Sequence, residues 1–186
     1  MKRHLKGGAL VAPVPAVMVS CGDMEKSNII TIAWCGITNT VPPTTYISVR
    51  PERYSYSMIE ETGEFVINLT TKELVRACDY CGVKSGRDVD KFKEMNLTQL
   101  KMDKVKAPGI AESPVNIQCK VVKKEELGSH HMFIARVVSV QVDEAYIDET
   151  GKFCLNDTGL MAYSHGEYRK LGEGIGRFGY SVKKKK

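Results

Sequence analysis

The sequence predicts a mainly β fold, an antiparallel barrel of the Greek-key kind with helices inserted between its strands. Three observations carry that expectation. Short apolar runs with period-two alternation recur at near-regular spacing, turn residues separate them, and helical stretches do not alternate with strands as a βαβ fold requires. A chain of 186 residues with 42% hydrophobic and 26% charged residues can bury one substantial core and has an ordinary globular composition.

The elements follow in order. Pro13 and Pro15 precede AVMVSC, where Val17, Val19 and Cys21 alternate with Met18 and Ser20 as in a half-buried strand. A turn at Gly22 and Asp23 leads to NIITIAW, a second strand, which runs into CGITNT, a stretch polar enough to be expected as a loop. TTYISVR alternates again, with Ile47 and Val49 on one face and Tyr46, Ser48 and Arg50 on the other. In EFVINLT the residues Phe65, Ile67 and Leu69 share a face, which sends Asn68 and Thr70 to the opposite one. Three helices are predicted: YSYSMIEET closed by Gly63, TKELVRACDY capped by Thr70 or Thr71, and DVDKFKEMN capped by Asp88. Two long strands, VNIQCKVVKKEEL and HMFIARVVSVQVDE, are joined through Gly128 and Ser129 as a hairpin. No repeat or linker divides residues 1–182, which read as one domain followed by a basic tail at 183–186.

Charge and cysteine usage exclude several function classes. Four of the five net positive charges belong to Lys183, Lys184, Lys185 and Lys186, leaving +1 for the rest, so no nucleic-acid partner is expected and the tail reads as a solvated terminus. No apolar run approaches the roughly 20 residues of a membrane-spanning helix, and the N-terminus lacks a signal core, so no membrane association and a cytoplasmic location are expected. Six cysteines in a chain of this size without an export signal are expected as free thiols. Cys78 and Cys81 have C-x-x-C spacing, but no second such pair completes a zinc site, and no metal is expected. The pair falls late in its helix, where the dipole does not favour a thiolate.

No Ser or Cys in a hydrolase-like elbow accompanies the four histidines, and neither G-x-G-x-x-G nor a P-loop is present. What stands out is a set of polar termini on apolar strands: Cys35, Thr38 and Asn39, then Arg50, then Asn68 and Thr70. In SGRDVDKF, Ser85 and Gly86 offer exposed backbone while Arg87 and Lys91 flank a helix start, a combination of amides and cations suited to a phosphate.

Five stretches in succession, APVPAVMVSCG, NIITIAWCGITNTVPPTTYISVRPERYSY, TGEFVINLTTKEL, DYCGVKSGRDVDKF and YRKLGEGIGRFGYSV, together resemble the flavin reductase-like FMN-binding family, in particular its flavoredoxin-type branch. The resemblance covers nearly the whole chain. It implies a split β-barrel, a homodimer, and FMN held non-covalently near the dimer interface. It implies that Ala33, Trp34, Cys35 and Gly36 lie against the isoalloxazine, with Thr31, Thr38 and Ser48 beside them. Arg50, Arg53, Tyr54 and Ser55 fall where the family approaches the ribityl phosphate, Asn68, Leu69 and Thr70 at a strand end lining the flavin. Cys81, Ser85, Gly86, Asp88, Lys91 and Phe92 match a second phosphate-and-ring segment, with Lys91 as its main cation. In GSHHMFIARVV, His130 occupies the family's histidine place, while the family's Gly-Glu is replaced by Ala135 and Arg136, a departure that bears on nicotinamide recognition.

Two activities follow from the resemblance. One is hydride transfer from NADH or NADPH to FMN, with electrons passed on to a small-molecule acceptor or redox partner protein. The other is a flavoredoxin-type electron carrier with tightly bound FMN and little nucleotide oxidation. The catalytic candidates are His130, otherwise a hydrogen-bonded strand-end residue, and Cys35, otherwise a small packing residue.

Overall fold

A computed structural model describes residues 1–182, so the basic tail lies outside the described residues. Strand β1, Val14–Pro15, leads into β2, Val17–Gly22, which forms a hairpin with β3, Ser27–Ile32. The alternation in β2 is present, yet all six residues are buried rather than half of them. Val17, Val19 and Cys21 join the barrel interior, whereas Met18 joins a second cluster beneath the helices, so the strand is covered on both faces.

The polar stretch CGITNT is a strand, not a loop. Strand β4, Cys35–Thr40, pairs with β5, Pro43–Val49, around a turn at Val41 and Pro42. It lies at the edge of the sheet with Ile37, Thr38, Asn39 and Thr40 exposed. Backbone pairing there needs no apolar alternation, because neither face of that part of the strand contributes to a core.

Helix α1, Tyr54–Thr62, stops at Gly63, whose φ of 65° is left-handed and whose N–H bonds the carbonyl of Ile59. Strand β6, Glu64–Leu69, is followed by a 3-10 turn at Lys72–Leu74 and by helix α2, Val75–Val83. Helix α3, Lys91–Glu94, is capped by Asp90, whose carboxylate accepts from the N–H of Lys93. The expected cap, Asp88, instead closes a turn by donating its N–H to the carbonyl of Ser85 at 3.2 Å.

A short pair, β7 at Gln99–Leu100 and β8 at Gly109–Ile110, precedes the long hairpin of β9, Val115–Glu126, and β10, His131–Val142. Gly128, at φ 85°, turns that hairpin. A further hairpin, β11 at Met161–Ser164 and β12 at Glu167–Lys170, joins β1 in a small sheet that sequence patterning missed, its strands being only four residues long.

The main sheet is antiparallel throughout, in the order β3-β2-β6-β9-β10-β5-β4. Non-sequential neighbours of this kind distinguish a Greek-key barrel from an up-and-down one. Ile47, Phe65, Phe133 and Ile59, all under 2% exposed, fill its interior, each contributing roughly 1.5–3 kcal/mol through burial. The curled sheet brings β3 back against β5, and in the link from β3 to β4 the Trp34 carbonyl accepts from the Ser48 N–H of β5 at 2.8 Å. This is the split in the barrel. No helix among the described residues is long and apolar enough to cross a membrane.

Candidate functional site

Two adjoining cavities open along this seam, of about 350 Å³ and 140 Å³, sharing Ile30 and Arg53 in their walls. The larger lies within the size range of small-molecule sites. It is formed by Asn28 and Ile30 of β3, the start of α1 at Arg53, Tyr54 and Ser55, the end of α2 at Cys81 and Gly82, the turn from Lys84 to Arg87, and Lys91.

Its electrostatics are lopsided. Arg53, Lys84, Arg87 and Lys91 line it against a single acid, Glu52. The first turn of α1 has no side-chain cap, so its N–H groups add partial positive charge at the same place. Arg87 is steered inward by its bond to the Glu52 carbonyl at 3.3 Å and by stacking 5.4 Å from the Tyr54 ring centroid. Ser55 accepts from Asn28 Nδ2 at 2.7 Å, tying α1 to β3.

Lys91 is 4% exposed. Its Nζ donates to the carbonyls of Ile29 at 2.7 Å and Cys81 at 2.8 Å. These are carbonyls that the fold leaves over: β3 is an edge strand and Cys81 is in the last turn of α2. No carboxylate partners Lys91 among the described residues, and burial holds its pKa below the ordinary lysine value. A buried cation with neutral partners and one N–H to spare is a seat for an anion.

Gly86 belongs to the same cradle. A Cβ there would overlap the Asn28 side chain and come within 2.7 Å of Tyr54 Cδ1, so only glycine lets this backbone approach the cavity wall.

The smaller cavity is framed by Thr31 to Trp34, by Ser48, Val49 and Arg50, and by His130. Arg50 pairs with Glu52 at 2.8 Å on the surface. The His130 pKa is lowered, first by burial and then by the Arg50 charge, so the ring favours its neutral form, with Nδ1 3.0 Å from Ser129 Oγ. Trp34 is 39% exposed, and its other side borders a third cavity of about 380 Å³, with Tyr163, His165 and the segment 9–12.

Of the residues singled out in the sequence, the fold brings together at this seam Thr31, Ala33, Trp34, Ser48, Arg50, Arg53, Tyr54, Ser55, Cys81, Ser85, Gly86, Lys91 and His130. Others lie elsewhere. Thr38 is exposed and donates to the Thr44 carbonyl at 3.2 Å; Gly36 faces the Tyr46 ring and accepts from Thr45 Oγ1. Leu69 packs on the barrel core and Phe92 under the helices. Asp88 makes the turn described above. Asn68, 0% exposed, gives its amide to the Met18 carbonyl and Ser20 Oγ and takes N–H groups from Ile110 and Asn116; Thr70 bonds the Ala16 carbonyl. Both are structural ties, and no cavity at the seam reaches them. Arg136 sits opposite Thr44, at the far end of β5 from Val49 and His131.

Sequence reasoning overlooked Asn28, Ile30, Ile32, Val49, Glu52, Gly82 and Lys84. Asn28 alone carried a signal, a polar residue at the start of an apolar strand next to a turn. Among the described residues no group of His, Cys, Asp and Glu is arranged to hold a metal.

Five of the six thiols are held in their protonated form by burial. Burial pushes Cys21 and Cys81 up to about 11 and Cys35, Cys78 and Cys119 up to about 12. Cys35 packs against the barrel core with nothing that would favour a thiolate, which argues against a nucleophilic role at neutral pH. In a native titration with a chromogenic disulfide at pH 8, half-exposed Cys154 is expected to react fast, partly buried Cys35 slowly, and Cys21, Cys78, Cys81 and Cys119 only after denaturation; rapid reaction of any of those four would contradict the burial.

Known proteins match this architecture. The sequence profile of the Flavin reductase like domain matches residues 11–172. A curated relative from Archaeoglobus fulgidus, itself uncharacterized, is 32% identical over 155 residues, covering 83% of this chain and 86% of its own. The flavoredoxin of Desulfovibrio vulgaris (Miyazaki F) superposes with a TM-score of 0.90 at 32% identity, covering 98% of this chain and 100% of that one. A protein of Shewanella frigidimarina NCIMB 400 described by its split barrel domain superposes at 0.79 with 22% identity, covering 90% of this chain and 86% of its own. With a split barrel whose seam is cationic at one end and the domain profile spanning nearly all of it, this chain belongs to the flavin reductase like domain family.

Proposed function

We propose that the chain binds FMN along the seam and acts as a flavin-dependent oxidoreductase, drawing electrons from NADH or NADPH and delivering them to a small-molecule acceptor or a partner protein. The observation that carries this reading is the buried Lys91, with Arg53, Arg87 and the uncapped start of α1, at one end of a cleft whose other end is polar backbone and an aromatic ring.

The residues fit a phosphorylated flavin. Lys91, Arg53, Arg87 and Ser55 would hold the phosphate, and Gly86 keeps room for it. The Ala33 and Trp34 backbone, Ser48 and His130 would line the ring. Bound flavin supplies the capacity to accept a hydride and release electrons, and the chain supplies placement and charge. Neutral His130 offers a hydrogen bond without adding charge, while Arg50 and Arg53 favour the negative charge that reduction leaves.

A carrier reading competes, and it is supported by the 32% identity to a flavoredoxin over nearly the full chain. A homodimer also belongs to the proposal. Large exposed apolar side chains favour it, including Ile37 and Val41 at the β4–β5 hairpin and Ile175 and Phe178 near the C-terminus.

The purified protein, mixed with FMN and freed of excess, should carry an oxidised-flavin spectrum. Anaerobic NADH and then NADPH decide between the activities: rapid bleaching supports the reductase, whereas a persistent spectrum supports the carrier. A protein that binds no FMN even when FMN is supplied in excess would refute both.

A further inference from the structure

Helix α1 is held to the rest of the barrel by a second set of polar contacts, on the side away from the Asn28–Ser55 bond. The hydroxyl of Tyr56 lies 2.7 Å from Nδ1 of His131. Glu60 Oε1 is 3.2 Å from the same hydroxyl and 2.6 Å from Nζ of Lys124, which itself reaches the hydroxyl at 3.4 Å. The Tyr56 ring is 8% exposed and packs edge-on to His131 at 5.4 Å and tilted on Phe133 at 5.3 Å. Lys124 belongs to β9 and His131 to β10, so four side chains strap α1 across the turn end of the β9–β10 hairpin.

The positions on either side of this strap are what give it meaning. Tyr56 directly follows Arg53, Tyr54 and Ser55, which form one wall of the cationic cavity. His131 directly follows His130 and pairs with Val49, both of which line the smaller cavity. The two cavities are built on separate elements, and the Tyr56–His131 contact joins the elements one residue away from each.

Proton placement is consistent with a directed bond. Tyrosine has one proton to give, and the shorter of its two acceptor contacts is to His131 Nδ1, which leaves the imidazole proton on Nε2. Lys124 donates into the remaining lone pair and onto Glu60. Burial holds the phenol above its ordinary range, so the hydroxyl keeps its proton for donation.

We infer that Tyr56 and His131 are positioning residues for the flavin: their hydrogen bond fixes the spacing between the anion-holding start of α1 and the ring-side wall at His130. Neither lines the seam cavities, and their effect passes through Ser55 and His130. The inference rests on the flavin-binding reading above.

The test uses the full chain, with FMN itself as the probe and fluorescence quenching as the readout of Kd. Tyr56→Phe keeps the ring and loses the bond, and His131→Leu removes the acceptor. His131→Asn retains an acceptor oxygen at the branch point of the side chain. Tyr56→Phe and His131→Leu are each expected to weaken FMN binding five- to tenfold, with the double variant no weaker than either alone. His131→Asn should stay within twofold of the wild type. Thermal unfolding without FMN is recorded for each, so that weakened binding is compared among folded proteins. Should His131→Leu fail to fold, Tyr56→Phe and His131→Asn still decide the matter, since the first must weaken binding and the second must not. Unchanged affinity in the single variants, losses that multiply in the double, or an Asn variant as weak as Leu would each overturn the inference. A wild-type chain that binds no FMN would overturn the flavin reading and this inference with it.

Discussion

Replacing Asn68 with leucine should destabilise the fold by about 3–5 kcal/mol while leaving the FMN affinity of the folded fraction within about twofold of the wild type. Asn68 is wholly buried and satisfied on both sides of its amide. Its Nδ2 donates to the Met18 carbonyl at 2.9 Å and to Ser20 Oγ at 3.0 Å, and its Oδ1 accepts from the Ile110 N–H at 3.0 Å and Asn116 Nδ2 at 2.8 Å. These bonds run to β2, β8 and β9, so one side chain closes the polar account of three neighbouring strands. A leucine of similar size would leave the Ile110 N–H and part of the Asn116 amide without partners in a dry interior, and each such group costs about 1–3 kcal/mol. Urea unfolding at constant pH checks the stability, and flavin titration below the transition checks the affinity. If affinity fell tenfold with stability unchanged, Asn68 would be a flavin contact, as the family resemblance implies.

Lys91→Met should weaken FMN binding about a hundredfold, close to 2.7 kcal/mol, because it removes a charge-assisted bond from a buried cation. The variant should also change how the protein's stability depends on pH. The Lys91 pKa in the folded protein lies below its unfolded value, owing chiefly to desolvation. Between those two values the unfolded chain binds more protons, so this residue makes stability rise as pH increases through that window; below the folded pKa its destabilising contribution is fully present. The methionine variant lacks that contribution. The difference between wild-type and variant unfolding free energies, measured without FMN from pH 7 upward, should therefore drift in favour of the wild type. A flat difference would mean that Lys91 is not held below its ordinary value.

Much of the site was readable because its residues sit in contiguous motifs. Arg53, Tyr54 and Ser55 are adjacent in PERYSY, and Ser85, Gly86 and Lys91 fall within SGRDVDKF, so neighbours in the chain remain neighbours at the cavity. Asn68 and Thr70 fall outside these two cavities, and alternation could not have shown it. Alternation correctly put them on the face of β6 away from Phe65 and Ile67, but in a single chain that face can look toward solvent, a ligand or a second core. Here it looks toward a second core, beneath Ile110 and Asn116.

The sequence by itself determined the parts whose causes are local. Gly63 ends α1 because a left-handed residue is needed there, Gly128 turns the long hairpin, and the spacing of Ile47 with Val49 and of Phe65 with Ile67 sets which face of each strand is inward. The order of the motifs along the chain was enough to point to the family. Only the tertiary structure decided that β2 is covered on both faces, that CGITNT pairs as an edge strand, that Cys35 packs partly buried against the core, and that Lys91 rests on two backbone carbonyls. The physical reason is range. A turn or a periodicity is set by residues a few positions apart, whereas the partner of a buried polar group is whatever the fold delivers: Asn68 meets a carbonyl 50 residues away and Lys91 one 62 residues away.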